Sequence, residues 1–249
     1  IWMSGDQTDD EPGVYGTKGL PSKSNKPGGR AYGTLSWVDQ EGNLWMFGGA
    51  RELEFLNDLW KFDPQDTVWT WMSGSNGTNS LGVYGTKGIA DANNEPRARS
   101  ESAASWVDKE GNLWMYGGQG TSGLVGMSDL WKYNIATSEW TWMSGSNLPG
   151  ETAVHGVKGI ASDTSRPGAR FVYSKWRDNL NNLWFFGGGN SSNQKNDLWK
   201  YSIANDQWTW VSGTKINNDA GVYGSYGVAS QNYLPLARYE NRACWLDAC

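Results

Sequence analysis

Four arginines recur at nearly constant spacing: Arg30, Arg99, Arg170 and Arg238 stand 69, 71 and 68 residues apart. A guanidinium is a permanent charge with a planar fork of donors, suited to gripping an anion or a carboxylate bidentately. Asp58, Asp129 and Asp197 also recur, each just before Leu-Trp. That position predicts side chains that accept from backbone N–H groups in the turn entering a strand. The lone histidine, His155, occupies the slot that Tyr15, Tyr84 and Tyr223 fill in the phrase GVYG, and it reads as a tyrosine substitute that packs the same way. Cys244 and Cys249 are the only cysteines, which is no disulfide scaffold. A zinc or copper centre draws on several His or Cys ligands, and no nucleophile elbow, P-loop or HExxH pattern occurs. The segment DQTDDE (6–11) lacks the spacing of a calcium loop and reads as a solvated turn. No catalytic residue, metal or cofactor is predicted.

The elements that must position the arginines come from a repeat of about seventy residues. NLWMFGG, NLWMYGG and NLWFFGG open it, NDLWKFD, SDLWKYN and NDLWKYS follow, and VWTWMSG, EWTWMSG and QWTWVSG close it. Each copy divides into four short runs rich in Trp, Tyr, Phe and Val, which favour a half-buried pleated surface. The turn QEGN, KEGN or NLNN between the first two runs has hairpin chemistry. No useful length of chain carries a helical period. Four antiparallel strands per unit, repeated, predict an all-β propeller with one blade per repeat.

The blades are expected at 30–74, 99–145 and 170–213, with partial blades at 1–5 and 238–249. Links run over 6–29, 75–98, 146–169 and 214–237. The partial blades read as pieces of a longer polypeptide, or as edges available for self-association into a fibre or coat, because unpaired strands invite pairing. The links carry GVYGTKG, GVYGTKG, AVHGVKG and GVYGSYG, and a phrase so repeated predicts a fixed packing over the blade edge.

The double glycines Gly48-Gly49, Gly117-Gly118 and Gly187-Gly188, the aromatics Phe62, Tyr133 and Tyr201, and the tryptophans Trp69, Trp140 and Trp208 resemble the Kelch repeat of the galactose-oxidase-like superfamily. The long-repeat form is similar to secreted or surface Kelch proteins. The resemblance implies a ring of six or seven blades, an extracellular or cell-surface location, and a non-catalytic binding or adhesion role towards a protein or glycan. It also implies an alternative, a copper radical oxidase. That site takes two histidines, a tyrosine and a Cys–Tyr crosslink, so its ligands would lie outside this chain. Some Kelch domains bind acidic peptides through arginines near the channel mouth, where a propeller places the start of each first strand. A structural role for the four arginines, bonding carbonyls of a neighbouring blade, is favoured because every copy has one.

Partner recognition is expected where the copies differ. The segments joining the second and third strands, 50–57, 119–128 and 189–196, share one face with the links. Arg51, Glu52, Glu54, Phe55, Leu124, Val125, Met127, Asn190 and Gln194 are its candidate contacts. These segments hold no Trp or Tyr for stacking on a sugar, which favours a protein partner. A net charge of −5 argues against nucleic acid, and no apolar run reaches the ~18–20 residues that span a bilayer. Asn76 and Asn190 begin N-glycosylation sequons.

Overall fold

The structure, a computed structural model, describes residues 1–239 apart from 101, 102, 122, 124, 173 and 191. Leu124, Cys244, Cys249 and most of the predicted last strand lie outside the described residues. Strands β1 (Leu35–Val38), β2 (Leu44–Arg51), β3 (Glu54–Asp63) and β4 (Val68–Ser73) form the first antiparallel sheet in that order. Next along the chain come β5 (Ala90–Asp91), β6 (Arg99–Ser100), β7 (Ala104–Val107), β8 (Leu113–Tyr116), β9 (Gln119–Gly120), β10 (Leu130–Asn134) and β11 (Glu139–Ser144). The second sheet runs β5-β11-β10-β8-β7, and β6 pairs with β9. The third sheet takes β12 (Ala161–Ser162), β13 (Ser174–Arg177), β14 (Asn182–Phe186), β15 (Leu198–Ser202) and β16 (Gln207–Ser212) in the order β12-β16-β15-β14-β13. These antiparallel sheets are three propeller blades. No helix among the described residues is long and apolar enough to cross a membrane.

The first hairpin of each blade is tied by one carboxylate. Asp39 accepts from the backbone N–H of Glu41 and Asn43 and from Trp45 Nε1, at 3.0, 2.9 and 2.7 Å. Asp108 and Asp178 repeat the bonds to the asparagine and the tryptophan. In the third copy Asn181 takes the left-handed slot of Gly42 and Gly111, at φ 67° against 86°, a conformation asparagine tolerates. Across the outer ladders Phe62 faces Trp69, Tyr133 faces Trp140 and Tyr201 faces Trp208.

The core lies between blades. Trp45 meets Tyr133 and Phe47 meets Trp140, both at 5.7 Å, and Trp37 Nε1 donates to Trp114 O at 3.0 Å. The next junction repeats this layer, with Trp114 on Tyr201 and Tyr116 stacked on Phe185 at 5.1 Å. The inner strands lie side by side: Ser105 Oγ donates to Ser36 O, and Lys175 Nζ donates to Ser105 Oγ.

Each link lies on the outer strand of the blade it is about to enter, as β5 on β11 and β12 on β16 show. Its aromatic wedges between two tryptophans of that blade: Tyr15 on Trp60 and Trp71, Tyr84 on Trp131 and Trp142, His155 on Trp199 and Trp210, all at 4.9–5.2 Å. Lys18, Lys87 and Lys158 cap the second of those rings at 4.8, 4.5 and 4.6 Å. His155 therefore packs as its tyrosine counterparts do.

The double glycine is the contact from blade to blade. Gly117 has φ +73°, and a Cβ there would come within 2.6 Å of Arg170 O. Gly118 N donates to that same carbonyl at 3.0 Å, and Gly188 N does so to Arg238 O. Gly88 also has positive φ (+77°), but a Cβ there meets nothing within 4 Å. Gly117→Ala is therefore expected to cost about 2–3 kcal/mol and Gly88→Ala about 1 kcal/mol. Urea midpoints of the two variants check this; equal losses would mean that blade contact does not fix the doublet.

Candidate functional site

The recurrent arginines and aspartates find each other. Arg30 Nη1 and Nη2 each lie 3.0 Å from Asp58 Oδ1 and Oδ2, and Nη1 also donates to Gly48 O at 2.8 Å. Arg99 grips Asp129 at 2.8 and 2.6 Å and Gly117 O at 2.9 Å. Arg170 grips Asp197 at 2.5 and 3.1 Å and Gly187 O at 3.3 Å. Each aspartate then accepts from the indole two residues on, Trp60, Trp131 or Trp199, at 2.7–2.8 Å. The link supplies the last donor: Tyr15 to Asp58 at 2.8 Å, Tyr84 to Asp129 at 2.7 Å, and His155 Nε2 beside Asp197 at 3.3 Å.

Two expectations change. The aspartates do not serve backbone N–H groups in a turn, because an arginine, an indole and the link's ring enclose each carboxylate. The arginines bond carbonyls of their own blade rather than a neighbour's. Their side chains are 8, 1 and 0% exposed, so Arg30, Arg99 and Arg170 face inward and do not form an open clamp. Arg238 is half-buried; its Nε donates to Leu236 O at 3.1 Å, and its backbone pairs with Lys195.

The electrostatics follow from this enclosure. Burial works against the charge on Asp197, but Arg170 and hydrogen bonds from His155, Arg170 and Trp199 outweigh it and hold its pKa well below the usual carboxylate range. Burial likewise opposes ionisation at Asp39 and Asp178, where bonds from Trp45 and Asn43, and from Asn182 and Trp184, prevail and lower both. Burial, and then Asp58 or Asp129, pushes the Tyr15 and Tyr84 phenols up.

The open space lies elsewhere on the predicted face. A cleft of about 610 Å³ sits over the junction of the second and third blades. Residues from five stretches line it, near Val125, Glu151, Arg170, Asn190 and Lys215. Of the predicted contacts, Val125 and Asn190 line it, and Val125 is 39% exposed. Phe55 and Met127 do not belong to a surface. Phe55 is buried against Ala50 and Ala98, and Met127 is fully buried with its side chain against Gly120. Arg51 and Glu54 pair at 3.3 Å near the first blade, where Glu52 is exposed at φ 52°. Gln194 is held through its backbone N–H by Asn218 Oδ1 at 2.9 Å. Asn76 is exposed, whereas Asn190 Oδ1 already accepts from Ser192 N and Asn193 N.

Sequence reasoning missed Glu151, Asn193, Lys195, Lys215 and Asn217 as lining residues. Lys195 carried a legible signal: two residues before the aspartate it replaces the apolar Leu56 and Met127. Loss of water around Lys195, and then the charge of Arg170, lower its pKa, with Asp197 opposing. Among the described residues no group of three or more His, Cys, Asp or Glu is placed to hold a metal ion.

This geometry defines an all-β protein of the β-propeller class. Among solved structures the chain resembles YjhT, with a TM-score of 0.51 and 12% identity over 80% of this chain and 57% of that one. Identity at that level shows the fold alone. Leucine-zipper-like transcriptional regulator 1 of Pongo abelii is 26% identical over 167 residues, which is 67% of this chain and 16% of that protein. The chain thus spans just over half of the first and about one-sixth of the second. No family model matches the chain.

Removing one partner of a buried ion pair leaves the other charged and enclosed. Arg99→Met is expected to cost about 3–5 kcal/mol, read as a lower urea midpoint. A near-neutral result would show that Asp129 does not need its arginine. The depressed carboxylates predict the direction of acid sensitivity. Their stabilisation is complete above the ordinary carboxylate value near ~3.9 and is lost as pH falls through the depressed folded values. Urea midpoints should be flat above about pH 5 and should decline below about pH 4. A decline on raising pH from 5 to 7 would contradict this.

Proposed function

We propose that this chain is the binding part of a Kelch-type propeller that recognises a protein partner through its loop face and does no chemistry of its own. One observation carries this reading: over a floor that includes the recurrent Arg170 and His155, the cleft is walled by segments that differ between repeats, while the recurrent charged residues hold the blades together. A rigid frame fixes the loops before binding and so lowers the ordering cost of association. The lining also favours protein over glycan. Among the described residues it contains no Trp or Tyr, and its one phenyl ring, Phe171, is only 6% exposed.

At the opposite end of the blades, neighbouring hairpins bond to one another. Gln40 Nε2 donates to Lys109 O at 2.9 Å, and Asn181 bridges Lys109 N and Glu110 Oε2 at 3.0 Å each. A photo-crosslinking residue placed at Val125 or Asn190 is expected to capture one protein partner reproducibly, and one placed at Gln40 or Glu110 is not. Capture through the hairpin mouth alone would overturn the reading.

A further inference from the structure

We propose that the cleft binds a phosphate monoester carried on a side chain of the partner, with Lys195 and Lys215 as its cations. The inference rests on the reading of the loop face as a protein-binding surface and names the group that surface takes.

The only carboxylate among the lining residues is Glu151. It is already engaged by Arg166 at 2.7 Å and by Ser128 Oγ at 2.6 Å. Arg170 at the cleft floor is neutralised by Asp197. No ion pair among the described residues includes Lys195 or Lys215. Lys195 donates to Asn217 Oδ1, a neutral acceptor, and Lys215 lies over Trp210 at 5.3 Å. Among the described residues, two ammonium groups outside any ion pair therefore share one cleft in a chain whose net charge is −5.

The position of Lys195 sharpens this. In the first two blades the same register position holds Leu56, 5% exposed, and Met127, fully buried. A lysine half-withdrawn from water into that place loses hydration, and an entering anion restores the balance. Two cations match a dianion better than a carboxylate. The amides of Asn193 and Asn217, joined at 3.2 Å, sit on the cleft wall as further polar partners for its oxygens. A phosphorylated residue with its neighbours is of a size that a pocket of several hundred Å³ accepts.

The test titrates the chain with four probes, read by amide chemical shifts: acetyl-Gly-phosphoserine-Gly-amide, the same peptide with serine, the same with glutamate, and inorganic phosphate. The phosphopeptide is expected to shift the amides of Val125, Glu151 and Asn193 saturably. It should bind ~10-fold or more tighter than the other three, with affinity falling as salt rises. Lys195→Met installs the residue of the second blade and should weaken binding ~10-fold while leaving the thermal midpoint in place; Lys215→Ala should also weaken it. No saturable shift in the cleft, or unchanged affinity in both variants, overturns the inference. Equal binding of the glutamate peptide overturns the dianion, and equal binding of inorganic phosphate overturns the side-chain ligand. A partner still captured through Asn190 while the phosphopeptide fails to bind leaves the loop-face reading standing and sinks this one. Cleft binding that depends on Lys195, with no partner captured through the loop face, leaves phosphate recognition by the cleft standing but sinks the loop-face reading and, with it, the partner as carrier of the phosphate.

Discussion

The buried arginine–aspartate pair ties four parts of each repeat to one carboxylate. The arginine comes from the start of the blade, the aspartate from its third strand, the indole from two residues further on, and the phenol or imidazole from the link. The guanidinium also reaches the carbonyl of the first glycine of the double glycine. Burial of two charges is costly and is offset only when their bonds are satisfied. Each member therefore has to stay where it is, and the local geometry of the blade is set around the pair. At Arg170 the same residue's backbone carbonyl also accepts from Gly118, the second glycine of the preceding blade. One residue thus fixes its own blade through its side chain and the adjoining blade through its backbone.

Aromatic packing completes what the ion pair begins. Each blade lays one face of indole and phenyl rings on the next, and a residue's burial depends on having that neighbour. Leu113 and Leu183 are fully buried at the blade junctions, whereas Leu44, their counterpart on the outward face of the first blade, is 45% exposed. Stability in such an array is carried by neighbour contacts as much as by the blade itself. The loops at the rim are outside this scheme, which is why they can differ from copy to copy without disturbing the strands.

Much of this frame was legible in the residues. Short runs rich in aromatic residues and the hairpin turns located the strands, and the repeated link phrase implied packing on a blade edge, where Tyr15 and Tyr84 are found. His155 was readable as their substitute because Val154, Gly156, Lys158 and Gly159 keep the phrase around it. The aspartates were misread because position before Leu-Trp suggests a local turn, while their partner is distant in sequence. The arginine and aspartate are separated by 28, 30 and 27 residues, and this shared spacing was the available signal. Phe55 and Met127 looked like surface contacts in variable segments, yet those segments pass over the blade junction and turn some side chains inward. The cleft was not legible at all. It arises where five segments from two blades and two links converge, and no local pattern encodes that convergence.

The central claim is that the frame holds while the rim binds. Amide hydrogen exchange of the chain, alone and with the partner captured through Asn190, tests it most directly. The account predicts new protection at 125–126, 150–153 and 189–195, with the hairpins at 39–43, 108–112 and 178–182 unchanged. Protection confined to those hairpins would place recognition at the opposite mouth and contradict it.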